Sequence, residues 1–409
     1  MNPASKTWIV YGASHTVQGQ RGHQALPGGA LVPPVPYPTL TKETTMSTRF
    51  RRRSSWIAVA IHLAAALSMT AACEPTKGAS SADSQVPSPA TSIAASVAPA
   101  SPASPEPRGA AKVGVAGASQ AGFYRTRVGD VDLTVLSDGT VGLDVSHGLA
   151  LNAKPGELDR LLTHAFQRSP IDASFNAFLT TLDGRTLLVD TGSAANMGPT
   201  AGKLAHSLVS AGTRPEDVTD VFITHVHPDH TGGLVVDGKR AFPNATIHVD
   251  QKDLDYWLDK ARASEATGMQ ATFFAAAQAS LQPYVDSGQV KGFTGATQFL
   301  RGFRAEPAYG HTPGHVMYVL ESNGQKLVFW GDLIHIAAVQ FDDPGVAVAF
   351  DVNPAMAVET RKRALAEAAD KGYLVAQNHV AFPGLGHVRR DADAYGWVPL
   401  PYVNDAAAK

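Results

Sequence analysis

Two β-sheets packed face to face with helices on both outer surfaces, a four-layer α+β sandwich (αβ/βα), is the fold this sequence predicts. Three observations predict it. Strand hairpins followed by helices occur twice along the chain. The length of 409 residues and the hydrophobic fraction of 44% suffice for a large core. The densest group of chemistry-bearing side chains, His225, His227, Asp229 and His230, follows directly on the apolar run Val221-Phe222-Ile223. Such a run reads as a buried strand, and a loop at a strand end is where a rigid scaffold presents functional groups.

The chain divides into four stretches. Residues 1–45 lack periodic pattern, and Pro27-Gly28-Gly29 and Pro33-Pro34-Val35-Pro36 would break any helix or strand. They read as a disordered extension that the natural product need not include, because Met46 opens a proper start. Residues 46–73 carry a basic segment, Arg49 to Arg53, then the apolar run Trp56 to Leu67, then small residues up to Cys73. That order is a secretory signal, and the run falls short of the roughly 20 residues a membrane span needs. Thr70-Ala71-Ala72-Cys73 resembles a bacterial lipobox, with Thr70 where the pattern prefers Leu, Val or Ile. Residues 74–116, dominated by Ser, Ala and Pro, read as an extended linker. The expectation is an exported protein, periplasmic or lipid-anchored at a bacterial envelope membrane through Cys73.

The folded domain is expected over 117–409. Asp132 to Gly139 reads as strand then turn. Phe175–Leu182 and Arg185–Asp190 read as a hairpin closed by Asp183-Gly184, a pair suited to a tight turn. Leu204–Ala211 is predicted helical, and Ala245–Val249 a short strand. Lys252–Ala263 and Ala271–Gln282 read as helices, the second stopped by Pro283. Met317–Leu320 pairs with Lys326–Trp330. An Ala-rich helix over 356–371 precedes Tyr373–Ala376, read as the last strand.

His225 and His227, two apart, point to one side of an extended backbone, and Pro228 ends the strand so that Asp229 and His230 come from the following turn. Imidazole with carboxylate suits zinc or a similar divalent ion. Four such side chains in six residues do not share one tetrahedral ion, so two adjacent ions are expected. Three later segments can complete the site: Gly310-His311-Thr312-Pro313-Gly314-His315, Trp330-Gly331-Asp332 and Asn378-His379. A net charge of -2 gives no basic excess for nucleic acid. The one cysteine, Cys73, excludes an intrachain disulfide and a thiolate site within the domain.

Asp190-Thr191-Gly192 and the spacing His225-x-His227-x-Asp229-His230, with the order of the later segments, resemble the metallo-β-lactamase superfamily over about residues 117–403. Gly122 to Arg125, Leu136 to Gly139, Gly331 to Ile334, Ala337 to Phe341 and Phe382 to His387 are similar to methyl parathion hydrolase and its relatives. The resemblance implies that His225, His227 and His311 hold one metal, that Asp229, His230 and His379 hold the other, and that Asp332 bridges both. Asp190 would orient a ligand from behind. His311 is preferred to His315, and His379 to His387, on the family's positions. His335 lies near the cleft, with packing an equal alternative. The implied function is a dinuclear hydrolase, most simply with two zinc ions, whose bridging hydroxide attacks a phosphotriester, aryl ester or lactone. Asp229 is also the candidate proton shuttle to the leaving group. Met197, Trp257 and Phe274 are the candidate leaving-group pocket, with Met197 where the relatives carry an aromatic and core packing an equal alternative for Trp257 and Phe274. Expected partners are the small-molecule ester or phosphotriester, a membrane through Cys73 and a second copy in a homodimer. The competing readings are a redox enzyme with iron on the same scaffold and a non-catalytic tethered binding protein.

Overall fold

The computed structural model describes residues 120–145 and 148–404. The expected extension, export signal and linker, Cys73 included, lie outside the described residues. No helix among the described residues is long and apolar enough to cross a membrane.

The first sheet contains β1 (Phe123–Val128), β2 (Val131–Leu143), β3 (Ile171–Leu182), β4 (Arg185–Val189) and β5 (Asp220–Phe222). After the two-residue strands β6 (Val235–Val236) and β7 (Lys239–Arg240), which pair with each other, it is completed by β8 (Thr246–Asp250) and β9 (Val290–Phe293). β1 to β4 are antiparallel neighbours, and β4, β5, β8 and β9 are parallel. The second sheet runs β10 (Thr297–Leu300), β11 (Phe303–Pro307), β12 (Val316–Ser322), β13 (Gln325–Phe329), β14 (Leu374–Ala376), β15 (Leu385–Asp391) and β16 (Ala394–Pro399), all in spatial order. Only its β13–β14 pair is parallel, because the helix α8 described below is inserted between those strands.

Side chains alternate across each strand, and that period assigns the layers. Leu187 and Val189 of β4 face Val316, Tyr318 and Leu320 of β12 in the core between the sheets. Leu188 faces outward, against Leu208 and Trp257. The outer layer on that side holds α2 (Leu204–Ser210), α4 (Gln251–Trp257), α5 (Lys260–Glu265) and α6 (Gly268–Asp286). The helix α1 (Glu157–His164) precedes these in the chain, and α3 (Pro228–Thr231) is a single turn after β5. On the other face Val319, Val328 and Val375 pack against Ala364, Leu365 and Ala368 of α8 (Pro354–Lys371). The short α7 (Ala337–Gln340) precedes it. The expected four-layer sandwich is therefore present.

Four local expectations need correction. β2 continues through Asp138-Gly139 as a bulge, because Asp138 is buried and satisfied by a neighbouring loop rather than by a turn. The predicted helix 252–263 is two helices, with Asp259 capping the second through the amides of Ala261 and Arg262. α6 runs through Pro283 to Asp286; the proline stands in the last turn, and the helix ends three residues after it. β14 is not the last strand, since β15 and β16 extend the sheet beyond it.

Candidate metal centre

The site forms where the loops at one end of both sheets meet. β5 stops at Phe222, three residues before His225, so the histidines lie on the loop beyond the strand and not on it. Pro228 starts α3, which swings Asp229 and His230 inward. The chain then turns through Gly232-Gly233. A Cβ on Gly233 would sit 1.8 Å from the carbonyl oxygen of Thr191, so only glycine lets this turn pass the Asp190-Thr191-Gly192 loop.

Two groups of ligand-type atoms result: His225, His227, His311 and Asp332, and Asp229, His230, Asp332 and His379. Within each group the atoms lie within 4.8 Å of one another, and all except Asp229 belong to buried residues. Asp332 faces both groups. Its Oδ2 lies 3.5 Å from His225 Nε2 and 3.4 Å from His311 Nε2. Its Oδ1 lies 3.1 Å from His230 Nε2 and 3.0 Å from His379 Nε2. The structure thus brings together all seven residues expected from the sequence.

Three of the five rings are held from behind by an acceptor. His230 Nδ1 meets Asp190 Oδ2 at 2.9 Å, and His311 Nδ1 meets Asp351 Oδ1 at 2.8 Å. His379 Nδ1 meets the carbonyl oxygen of Ser174 at 3.0 Å. A carboxylate or carbonyl only accepts, so each of these Nδ1 atoms carries a proton, which leaves Nε2 as the atom that can face a metal. Asp190 also accepts from the Thr224 amide, the Thr224 hydroxyl and Asn378 Nδ2, at 2.8, 2.8 and 2.9 Å. His230 Nε2, His311 Nε2 and Asp332 Oδ1 are buried without a hydrogen-bond partner. Buried polar atoms are seldom left unsatisfied. Lone pairs converging from imidazole and carboxylate fit divalent cations.

The electrostatics divide the rings: against the effect of burial, the surrounding carboxylates raise His230, His311 and His379, whose protons a metal would displace. Burial would raise the Asp332 carboxyl, but the histidines around it hold it well below the carboxylate range. Burial lowers His225 and His227 far below their ordinary value, the state in which imidazole binds metal. At His311 burial works against charge, but the hydrogen bonds and charges of Asp332 and Asp351 lift it to about 9.

The remaining histidines separate cleanly. His315 donates from Nδ1 to the Ala308 carbonyl at 2.9 Å and accepts the Asp332 amide on Nε2 at 2.9 Å, so it builds the turn and belongs to neither group. His387 contacts the Tyr373 carbonyl at 3.2 Å, outside both groups. His335 Nε2 lies 2.9 Å from Asp332 Oδ2, on the cavity wall.

The centre opens onto a cavity of about 200 Å³ walled by Leu143, Phe175, Met197, Met269, Phe273 and Phe350, with His227, Asp229, Asp332, His335 and His379 at its floor. Met197 is where the sequence placed it. Trp257 and Phe274 are not on this wall: both are core residues, 0% and 3% exposed, and Trp257 packs edge-on behind His227 at 5.3 Å. The aromatic from α6 is Phe273, because a one-residue step turns a helical side chain by about 100°. A larger cleft of about 680 Å³ lies beside the 193–204 loop, but no residue of either ligand group lines it.

Three supporting carboxylates escaped the sequence reading. Asp138 fastens both ends of the loop carrying Met197, accepting from Ser193 N, Ser193 Oγ, Gly202 N and Leu204 N at 2.7–3.2 Å. Asp351 holds His311, and Asp253 accepts the amides of Val226 and Gly314. None has a local motif. Asp253 reads in sequence as one more acidic residue in the first turn of a helix.

Residues 174–398 match the family model described as metallo-beta-lactamase superfamily. Among solved structures, the chain is similar to one described as hydrolase AbOPH in the beta lactamase superfamily. That likeness has 33% identity and a TM-score of 0.66, over 70% of this chain and 100% of the other. It is also similar to AidC, described as a dizinc quorum-quenching lactonase in complex with a product, N-hexanoyl-L-homoserine. Here identity is 28% and the TM-score 0.63, over 69% of this chain and 99% of AidC. A probable metal-dependent hydrolase from Staphylococcus aureus shares the fold at 19% identity and a TM-score of 0.54, over 68% of this chain and 100% of that one. No curated protein matches the chain.

Proposed function

The chain belongs to the metallo-beta-lactamase superfamily of hydrolases, and on that premise we propose that it is a dinuclear enzyme opening small neutral lactones. The observation that carries this reading is the opening of two adjoining ligand clusters, joined by Asp332, onto one small apolar cavity. His225, His227 and His311 would hold one ion, Asp229, His230 and His379 the other, and Asp332 both. Two zinc ions there would supply Lewis-acid polarisation of the scissile carbonyl and activation of water near neutral pH.

The chain's own groups do the rest. Asp190 and Asp351 hold the rings of His230 and His311 in one tautomer. Phe175, Met197, Phe273 and Phe350 take up the apolar part of the substrate and exclude bulk water. Asp229, on the cavity wall, carries a proton to the departing oxygen. Among the described residues no Lys or Arg lines the cavity, so its side chains favour a neutral ester over an anionic one. No Ser or Cys among the described residues lines it either, which fits water as the nucleophile. The volume of about 200 Å³ lies below the roughly 300–1,000 Å³ of drug-sized pockets. A lactone ring with a short chain suits that size. The likeness to AidC, described as a lactonase, supports the same choice.

The test is a panel of kcat/KM values for N-hexanoyl-homoserine lactone, nitrophenyl acetate and methyl parathion. The lactone should lead, with the aryl ester and phosphotriester as secondary substrates. Faster turnover of methyl parathion than of the lactone would overturn the substrate assignment.

A further inference from the structure

Asp253 lies on α4, outside both ligand groups, and is 0% exposed. Its carboxylate joins two loops that are far apart in sequence. Oδ2 accepts the amide of Val226 and the hydroxyl of Thr312, each at 2.8 Å. Oδ1 accepts the amide of Gly314 at 2.6 Å. Val226 stands between His225 and His227, and Thr312 follows His311. One side chain therefore ties the loop bearing two histidines to the loop bearing the third. Across that tie the His225 and His227 rings each lie 4.6 Å from the His311 ring.

The surrounding packing is fitted to this contact. A Cβ on Gly314 would come 2.6 Å from the Asp253 backbone nitrogen and 2.9 Å from its Cβ, so the turn can approach only as glycine. At the start of α4, Asp250 accepts the Tyr309 hydroxyl at 3.1 Å and anchors the same turn a second time. At its end Trp257 packs behind His227.

We propose that Asp253 is a positioning residue that fixes the separation of these two loops, and thereby the affinity of the His225–His227–His311 cluster for its ion. The proposal rests on the dinuclear reading given above. It concerns one of the two clusters only, because the second gets its histidines from α3 and from the loop after β14. Asn fills the same volume, but its amide nitrogen cannot accept, so one of the three donors would lose its partner.

The experiment measures zinc affinity by chelator competition, with melting temperatures of the metal-free proteins alongside. Wild type, Asp253→Asn and Thr312→Val are compared in the full chain, each also in a His379→Ala background that weakens the other cluster. Asp253→Asn should bind one ion as wild type does and the other roughly 10–100-fold more weakly, the usual cost of losing an outer partner of a metal site. The loss should persist in the His379→Ala background. Thr312→Val, which removes one of the three bonds, should shift the same ion less. Cobalt(II) bound in the His379→Ala background should show an altered visible spectrum when Asp253→Asn is added. Wild-type affinity for both ions in Asp253→Asn, or an equal weakening of both with a lowered melting temperature, would overturn the proposal. A wild-type chain that binds no ions would overturn the dinuclear reading and this inference with it.

Discussion

The Asp332 carboxylate faces histidines of both clusters, so removing its charge should act on both at once. Asp332→Ala is expected to lose tightly bound metal from both clusters. Its kcat/KM should fall by more than the roughly 10–100-fold typical of outer-partner changes; metal content and lactone turnover on one preparation check this. Asp253 makes the opposite kind of contribution, function at a cost in stability. Burial pushes its carboxyl from 3.8 up to about 6 despite its three donors. Below 3.8 the group is neutral in folded and unfolded chains alike; between 3.8 and about 6 the unfolded chain releases the proton and the folded chain keeps it. Stability from this group is therefore full at low pH and declines as pH rises through that window. The melting temperature of metal-free wild type, minus that of Asp253→Asn, should fall across the same window; a flat difference would contradict the assignment. The seven ligand-type residues were legible in sequence because four fall within six positions and three follow strands or a glycine turn. Asp138, Asp253 and Asp351 were not, since each reaches the loop it fastens by folding across 27 or more residues.

At the scale of elements, what was legible was what local backbone chemistry dictates. The β3–β4 hairpin is one case: Asp183 and Gly184 have φ of 50° and 75°, the left-handed pair a two-residue turn requires. Gly184→Val should cost about 1–2 kcal/mol in denaturant unfolding while leaving metal content unchanged, because the turn lies at the far end of β4 from Asp190. Elements set by tertiary contacts were misread: the β2 bulge held by Asp138, the break before Asp259, and β15–β16, whose Gly, His and Arg residues carry no strand pattern. Register within α6 was missed by one residue, and that step separates two mutational outcomes. Phe273→Ala should raise KM for the lactone with little effect on folding. Phe274→Ala should destabilise by about 3–5 kcal/mol as a core truncation, with KM nearly unchanged. Interchanged outcomes would return the cavity wall to Phe274.

Across the whole molecule, the sandwich serves to bring loop ends from both sheets to one place. β4 and β5 deliver Asp190 and the histidine loop, while β12, β13 and β14 carry the segments of His311, Asp332 and His379. The expected order of hairpins and helices was enough to read that architecture. The sheet order was not, because it depends on which strand pairs across the α8 crossover. Ahead of this domain, we propose that residues 46–73 are an export signal, so that the native protein is recovered either free in the periplasm or held at the envelope membrane through Cys73. Mass spectrometry of the mature N-terminus decides between the two: a diacylglyceryl mass on Cys73 marks the tether, and a chain that begins after Cys73 removes it as an anchor. The central claim, a dinuclear hydrolytic site, is tested most directly by counting metal ions per chain while following N-hexanoyl-homoserine lactone hydrolysis through chelation and reconstitution. Two divalent ions per chain, with hydrolysis lost on chelation and restored on adding metal back, is the predicted result. Hydrolysis that survives complete metal removal, or restoration by a single ion per chain, would contradict it.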